Sequence, residues 1–373
     1  MHFRTFTSRV VVALLLGACV WSMGAKGGLA QGELLRSGEG AYRVMLAPVY
    51  QQYTDDGRIL TQASSRLSVS VPLLDQMRLR ASAQYALIDA EGAPRIRGLD
   101  DVHASVTYAR TIGESSLVFG LDANLPAGKR GLTSDQLRTT AVTSRNYYHF
   151  RVSSFGQGLT VAPRVTWAVP LTERIVVGVG ATYQHERGFR PRQNMTDTYV
   201  PGDGVGVNGG IDVQLTRTST LGVDATFRRY GPYQQGGTTQ FEAGNRLAGT
   251  VRYLYRKGFT QVQVRGHYAN WAPSQYYDTR AADPSGVRVN VIPSHGMAEI
   301  AVRMRIVDDI RVETQLAGHR YSATSVSPEQ LLGTVRLTPS FDIQDTLVIA
   351  PHGQLTLGSF RGMGGGLRIQ AEL

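Results

Sequence analysis

The chain of 373 residues is short of cysteine, lysine and long apolar runs. Its one cysteine, Cys19, has no partner for a disulfide. Lysine occurs three times, at Lys26, Lys129 and Lys257, so nearly all positive charge is arginine. Beyond the first thirty residues no segment reaches the ~18 uninterrupted apolar residues that a transmembrane helix needs, which excludes a helical membrane protein. Charged residues make up only 18%, and no charge block or Pro/Ser-rich linker divides the chain. One large domain is therefore expected, although the length alone would admit two or three.

The N-terminus differs from the rest. Arg4 and Arg9 precede an apolar run from Val10 to Val20, and small residues follow as far as Gly28-Leu29-Ala30. This is the order of a secretory signal peptide over 1–30, cut after Ala30. The stretch Leu16-Gly17-Ala18-Cys19 also fits the pattern cut before a lipid-modified cysteine. With cleavage after Ala30, residues 31–373 carry no thiol chemistry. Loss of Arg4, Arg9 and Lys26 leaves 36 basic against 29 acidic residues, a mature charge of +7. That is mildly basic, far from a nucleic-acid footprint, and no nucleic-acid partner is expected.

What the chain does have is glycine, 42 residues of it, and alternation. Leu159, Val161, Val165, Trp167 and Val169 share one face, and Thr160, Ala162, Arg164, Thr166 and Ala168 the other. After Pro170-Leu171-Thr172-Glu173 the pattern restarts, with Ile175, Val177, Val179, Ala181 and Tyr183 opposite Val176, Gly178, Gly180, Thr182 and Gln184. Period two marks a strand, since a helix repeats every 3.6 residues. Read along the chain, it predicts sixteen strands: 41–53, 59–72, 76–88, 99–110, 114–125, 158–169, 174–186, 204–217, 220–230, 244–256, 258–271, 294–306, 310–322, 332–343, 346–358 and 362–373. Merging or losing weak pairs would reduce the number to 12–14.

Connection lengths and face chemistry decide where such strands live. Connections after even-numbered strands are short, while 126–157, 187–203, 231–243 and 272–293, all after odd-numbered ones, are long. Tight periplasmic turns and long external loops alternate in this way in a barrel of the outer membrane with both termini periplasmic. One face is apolar, as in Met77, Leu79, Ala81, Ala83 and Tyr85, or Leu221, Val223, Ala225 and Phe227. The other carries the pore-lining candidates Arg164, Arg228, Arg252, Arg265, Arg303, Asp122, Asp212 and Asp224, with further charges such as Arg66, Glu299, Arg336 and Arg368. A dry sandwich core cannot hold these ions, because each unpaired one costs several kcal/mol. A water-filled or salt-bridged lumen can. The expected fold is all-β, a transmembrane antiparallel up-and-down barrel in contact with outer-membrane lipid and inserted by barrel assembly machinery.

Aromatic positions add to this picture. Tyr50, Tyr53, Tyr85, Tyr183, Tyr230, Tyr268, Trp271 and Tyr321 lie near strand ends that run outward, and are expected to form one ring at headgroup level. The last strand ends Leu367, Ile369, Ala371, Leu373 on its apolar face. Leu373 stands where outer-membrane barrels usually carry an aromatic residue.

The longest loop, Pro126 to Gln157, carries Lys129, Arg130, Arg138, Arg145 and Arg151 against one acid, Asp135. Connections of this length are functional or disordered. Part of it is expected to fold inward, with Tyr147, Tyr148 and Phe150 on the barrel wall, and to narrow the lumen above Arg164, Arg228 and Arg252. Lys129, Arg130, Arg138, Arg145, Tyr147 and Tyr148 are the constriction candidates. A constriction lined by one sign of charge concentrates counter-ions, so anions would be favoured.

Other motifs carry little. Gly204-x-Gly206-x-x-Gly209 spells a dinucleotide fingerprint but lies inside an alternating strand with no helix after it. His103, His149, His185, His267, His295, His319 and His352 are scattered without ligand spacing, so no metal is expected. There is no G-x-S-x-G elbow, and Asp100-Asp101 and Asp308-Asp309 read as strand-end and turn carboxylates. No catalytic residue and no cofactor is expected.

Several short stretches carry a resemblance. Gly98-Leu99-Asp100-Asp101 leading to Tyr108, Leu125-Pro126-Ala127-Gly128-Lys129, Ser154-Phe155-Gly156-Gln157-Gly158 and Tyr199-Val200-Pro201-Gly202-Asp203 resemble the outer-membrane channels named after the meta-pathway of phenol degradation, relatives of the FadL-type channels for fatty acids and aromatic hydrocarbons. The resemblance covers roughly residues 98 to 215 and implies a barrel that moves or binds hydrophobic small molecules. Two features depart from it: about ten residues between Ala30 and the first strand, too few for an N-terminal hatch, and an arginine-rich lumen. No functional residue carries over.

Three classes of function remain. The first is a passive outer-membrane channel for small, hydrophobic or anionic, organic solutes. The second is a structural or adhesive barrel acting through its loops. The third is an outer-membrane lipase or protease, which would need a Ser/His or Asp/His set at one rim.

Overall fold

A computed structural model describes residues 41–277, 286–344 and 346–373. The expected signal peptide, with Cys19 and Ala30, lies outside the described residues. The strands follow in chain order: β1 Arg43–Asp55, β2 Arg58–Leu74, β3 Met77–Ala90, β4 Ala93–Leu99, β5 Val102–Ile112, β6 Ser115–Leu125, β7 Thr160–Thr172, β8 Ile175–Glu186, β9 Tyr199–Val200, β10 Gly204–Thr216 and β11 Ser219–Tyr230. They continue with β12 Pro232–Gln235, β13 Thr238–Glu242, β14 Arg246–Lys257, β15 Thr260–Trp271, β16 Ser274–Tyr276, β17 Val287–Val289, β18 His295–Val307, β19 Ile310–Tyr321, β20 Gln330–Ile343, β21 Leu347–Gly358 and β22 Arg361–Glu372.

Seventeen of these form one sheet, which closes where β1 pairs with β22. Tyr42 and Leu373 exchange backbone hydrogen bonds of 3.1 and 2.9 Å at the seam. Closure leaves no unpaired edge, the condition for strands to cross a membrane. β4 and β5 occupy one position in the wall, because both pair with β3: Tyr85–Ala90 faces β4 and Met77–Ser82 faces β5. The barrel therefore has sixteen positions, all antiparallel, as the period-two reading expects.

One segment differs from that reading. Residues 89–98, expected as a connection, form a hairpin through Glu91 and Gly92, the latter at φ 76°. The polar run through Arg95 and Arg97 looks like loop in sequence, but Ile96 pairs with Ile88 and both are fully buried inside the barrel mouth. The wall is broken instead at Asp100 and Asp101, between β4 and β5.

Register makes the belt continuous. Val169 faces Val177, Val177 faces Ile211, Ile211 faces Val223 and Val223 faces Val251, so one apolar row crosses five wall positions. Val179, Val207, Val223 and Val251 are exposed. An encircling apolar band of this kind belongs in lipid, with the polar side of each strand turned to the lumen. Inward glycines seat the large lumen ions: a side chain at Gly120 would collide with Arg164, and one at Gly222 with both Asp212 and Arg252.

The aromatic ring is half as large as expected. Tyr50, Tyr85, Tyr183 and Tyr268 are exposed on the lipid side. Tyr53, Tyr230, Trp271 and Tyr321 point inward, because an odd offset from a lipid-facing neighbour reverses the face, however close to the strand end the residue lies. Tyr230 and Trp271 stack at 5.6 Å, and the Arg246 guanidinium sits 5.6 Å from the Trp271 ring.

Beyond the barrel, three of the long external loops add a second sheet of five strands in the order β17-β16-β13-β12-β9. It raises the wall above β8 to β18.

Candidate functional site: the lumen and its inward loop

The long loop after β6 opens with a helix, Ser134–Thr143, started by a capping box in which the Thr133 hydroxyl accepts from the Gln136 N–H and the Gln136 side chain accepts from the Thr133 N–H. Past the helix the chain turns into the mouth. Tyr147, Tyr148 and Phe150 are buried against Tyr53, Leu60, Tyr321, Leu332 and Phe360. Leu132, Val152 and Phe155 bury against Ala86, Ile88 and Ile96. Each large apolar side chain buried in this way contributes about 1.5–3 kcal/mol.

Polar groups fix the loop as firmly. Gln62 brackets Val152, donating to its carbonyl at 2.7 Å and accepting from its N–H at 2.9 Å. Gln51 does the same for the neighbouring turn, donating to the His149 carbonyl at 2.9 Å and accepting from the Arg151 N–H at 3.0 Å. Tyr148 donates its hydroxyl to Asp55. Burial, then the Asp55 contact, push that hydroxyl well above its ordinary pKa. Asp101, at the wall break, accepts from the Gly128 N–H at 3.0 Å and the Gln157 N–H at 2.8 Å, so one carboxylate clasps both ends of the loop. The break between β4 and β5 is thus where the loop is tied down.

The loop packs on one wall of the barrel. Its aromatic residues lie against β1 to β4, β19 and β20, opposite Arg228 on β11 and Arg252 on β14. The inward residues decide this: Tyr53, Leu60, Ile88, Ala90, Tyr321 and Leu332 give one wall an apolar upper rim, whereas β11 and β14 present Arg228, Tyr230 and Arg246 there. Among the loop candidates, Lys129 packs over Gly98, Arg130 is exposed and donates to the Pro126 carbonyl at 2.6 Å, and Arg138 is exposed on the helix. Arg145 donates to the Tyr147 hydroxyl at 2.8 Å. The loop cation that lines the lumen cavity is Arg151, read from sequence only as part of the loop's charge.

The lumen ions form two populations. Arg164 pairs with Asp122 at 3.3 Å, Arg252 with Asp212 at 3.0 Å, Arg265 with Glu299 at 2.8 Å and Arg303 with Glu313 at 2.5 Å. Asp224 lies beside Gly210 and near Arg252, and Arg228 packs over Gly206 beside Arg246. Arg66, Arg151, Arg336 and Arg368, by contrast, make no ion pair among the described residues. Arg66 donates only to the Ser82 hydroxyl at 2.9 Å and Arg336 to the Gln354 side-chain amide oxygen at 3.2 Å. These four, together with Arg303, Arg311 and Glu313, surround a cavity of ≈ 610 Å³ beneath the loop.

Four histidines that look scattered in sequence meet in space. His267, His295 and His319 stand on the inner faces of β15, β18 and β19, and His149 of the loop joins them. His295 Nε2 and His319 Nδ1 are 3.3 Å apart, and His149 Nε2 is 2.6 Å from the Tyr321 hydroxyl. Diagonal cross-strand register brings them together, which linear spacing cannot reveal. No cluster of three or more ligating residues able to hold a metal occurs among the described residues. The rim also holds a His–Asp pair, His185 Nδ1 to Asp203 at 3.0 Å, but it is exposed on the same face as Tyr183, away from the lumen.

No family model and no curated relative matches the chain. Solved structures do. CdiB from Acinetobacter baumannii aligns at a TM-score of 0.52 and 8% identity over 88% of this chain, which spans 60% of CdiB. OprB from Pseudomonas putida aligns at 0.49 and 10% identity over 92% of this chain and 96% of that one. An outer membrane channel from Pseudomonas putida F1 aligns at 0.43 and 9% identity over 93% and 100%. At such identities the likeness is one of fold. The fold is that of the outer-membrane β-barrels.

Proposed function

We propose that this barrel is a channel through which small organic solutes cross the outer membrane passively, with anions preferred. The observation that carries the reading is the ≈ 610 Å³ cavity inside the barrel, lined by six arginines and one glutamate. A structural barrel needs no excess of unpaired guanidinium groups in its interior, where each is disfavoured unless water or a counter-ion meets it. The inward loop is anchored to one wall and leaves this space beneath it. A field of one sign in a confined, low-dielectric passage raises the local concentration of anions. The aliphatic side chains Val49, Val348 and Ala350 on the same lining suit an organic solute, in keeping with the hydrophobic cargo that the sequence resemblance implies. Purified protein in planar bilayers under a salt gradient should give discrete steps and an anion-selective reversal potential. Silent bilayers, with protein shown to be inserted, would favour the structural or adhesive alternative. Turnover of lipid or peptide would favour an enzyme.

A further inference from the structure

We infer that the cavity under the loop is a binding site for small organic dianions, a dicarboxylate with a compact carbon body being the class that fits. This rests on the channel reading and adds a stopping place within the passage.

Charge comes first. Arg303 and Arg311 of the cavity are already matched by Glu313 and Asp342. Arg66, Arg151, Arg336 and Arg368 form no such pair: Glu313, the carboxylate in the lining, is held by Arg303, and Asp100 acts on Arg66 without an ion-pair contact, so four cations face one space with no carboxylate bound to any of them. One carboxylate cannot meet four guanidinium groups presented from four segments. Two carboxylates on one solute can, each held by the forked geometry that arginine offers and lysine does not. Arg151 shows how crowded the cations are: burial, then the nearness of Arg336 and Arg66, lower its basicity.

Shape comes second. The lumen side of a barrel strand is normally polar. Here the inward residues Met45, Ala47 and Val49 of β1 and Val348 and Ala350 of β21 are apolar, and all line the cavity. Between them runs β22, whose inward positions Gly362, Gly364 and Gly366 carry no side chain. A methyl group at Gly366 would strike the Pro48 carbonyl, the His352 ring and Val49. The glycines let Tyr53, Val49 and His352 pack close to β22, and the cavity beside them has apolar flanks and a cationic rim, with space of the size that small-molecule sites have. An inorganic anion would leave the apolar flanks unused, and a monocarboxylate would leave cations unmatched.

Third, the site is completed by the loop. Arg151 is held in place by Gln51, and with Arg336, His352, Gln354 and Gly364 it lines a narrow pocket at the top of the recess. Binding and the inward position of the loop are therefore linked.

Calorimetric titration of the detergent-solubilised barrel with terephthalate, benzoate and inorganic phosphate tests this, alongside bilayer recordings of the same preparations. Terephthalate should bind wild-type protein at least tenfold more tightly than benzoate or phosphate. Affinity should fall at least tenfold in R336Q/R368Q and in R151Q, with R336K/R368K recovering part of it by charge alone. Heat-modifiable migration on gels verifies that each variant is folded. Unchanged affinity in both glutamine variants, or phosphate binding as tight as terephthalate, overturns the inference. Conductance by wild type with no terephthalate binding overturns it too and leaves the channel reading standing. Binding without conductance supports the site and removes the channel.

Discussion

The two halves of this barrel share one alternation and differ in what they do with charge. On the half formed by β6 to β19, below the external sheet, four lumen arginines are matched across strands, Arg164 with Asp122, Arg252 with Asp212, Arg265 with Glu299 and Arg303 with Glu313, while Arg228 and Arg246 at the rim make no ion pair among the described residues. On the half formed by β20, β22, β1 and β2, below the loop, Arg336, Arg368 and Arg66 go unmatched, and the loop adds Arg151. Glycines follow the same division. Gly120 and Gly222 make room for ion pairs, whereas on β22 Gly362 makes room for the Tyr53 ring and Gly366 for His352 and Val49. Paired ions hold neighbouring strands in register at modest net gain. Unpaired ones around a cavity are a standing field for a solute.

The loop offers the largest way to break this comparison, because it roofs one half alone. Tyr148→Ala with Phe150→Ala removes two buried aromatic rings at about 3–5 kcal/mol each, so the loop should leave the wall. Limited proteolysis should then cut within 133–157 and single-channel conductance should rise. A loop that stays protected would mean that the Gln51, Gln62 and Asp101 contacts hold it alone.

Next in size is the register that both halves share. Val177→Arg and Val223→Arg place charge on the lipid face, at a cost of ~2–4 kcal/mol near the midplane. Val176→Arg, paired opposite Asp212, should cost less. Equal losses in refolding titrations at Val176 and Val177 would show the faces exchanged.

The halves themselves separate on neutralisation. Glu299 is 8% exposed and accepts from both Arg265 and Gln315, so Glu299→Gln should cost about 1.5–3 kcal/mol. Arg368→Gln should cost nothing measurable or stabilise slightly, since it removes repulsion and no partner. Similar losses in denaturant midpoints would erase the distinction.

The smallest effect concerns the Tyr148–Asp55 contact. Tyr148→Phe should cost about 0.5–1.5 kcal/mol. The raised hydroxyl favours the folded loop fully at pH values below the ordinary tyrosine value of 10.0, and this contribution is lost as pH rises above it. Protection of the loop from protease should therefore weaken in alkali in the wild type and be less pH-dependent in the variant.

Much of the barrel was legible in its residues. Period two gives strand existence and face directly, so the sixteen wall positions, the belt through Val177 and Val223, and the inward ions could be read without coordinates. The inward turn of Tyr53 and Trp271 was legible too, from their odd offsets to Tyr50 and Tyr268. Two things could not be read: the hairpin at 91–92 and the meeting of His149 with His295 and His319 depend on which residue lies beside which across strands, and a linear pattern holds no such distances. The inward burial of Tyr147 and Tyr148 belongs with the legible part, because a run of aromatics in a long polar loop has to cover its rings somewhere. Which wall receives them depends on the apolar rims at Leu60 and Leu332, visible only once the strands are aligned.

Reversal potentials in planar bilayers under a KCl gradient test the central claim most directly, comparing wild type with R336Q/R368Q and with D212N/R252Q. The wild type should prefer anions, the first variant should lose most of that preference, and the second should change it much less, because the pair it removes is already neutral. Cation preference in the wild type, or equal shifts in the two variants, would contradict the account.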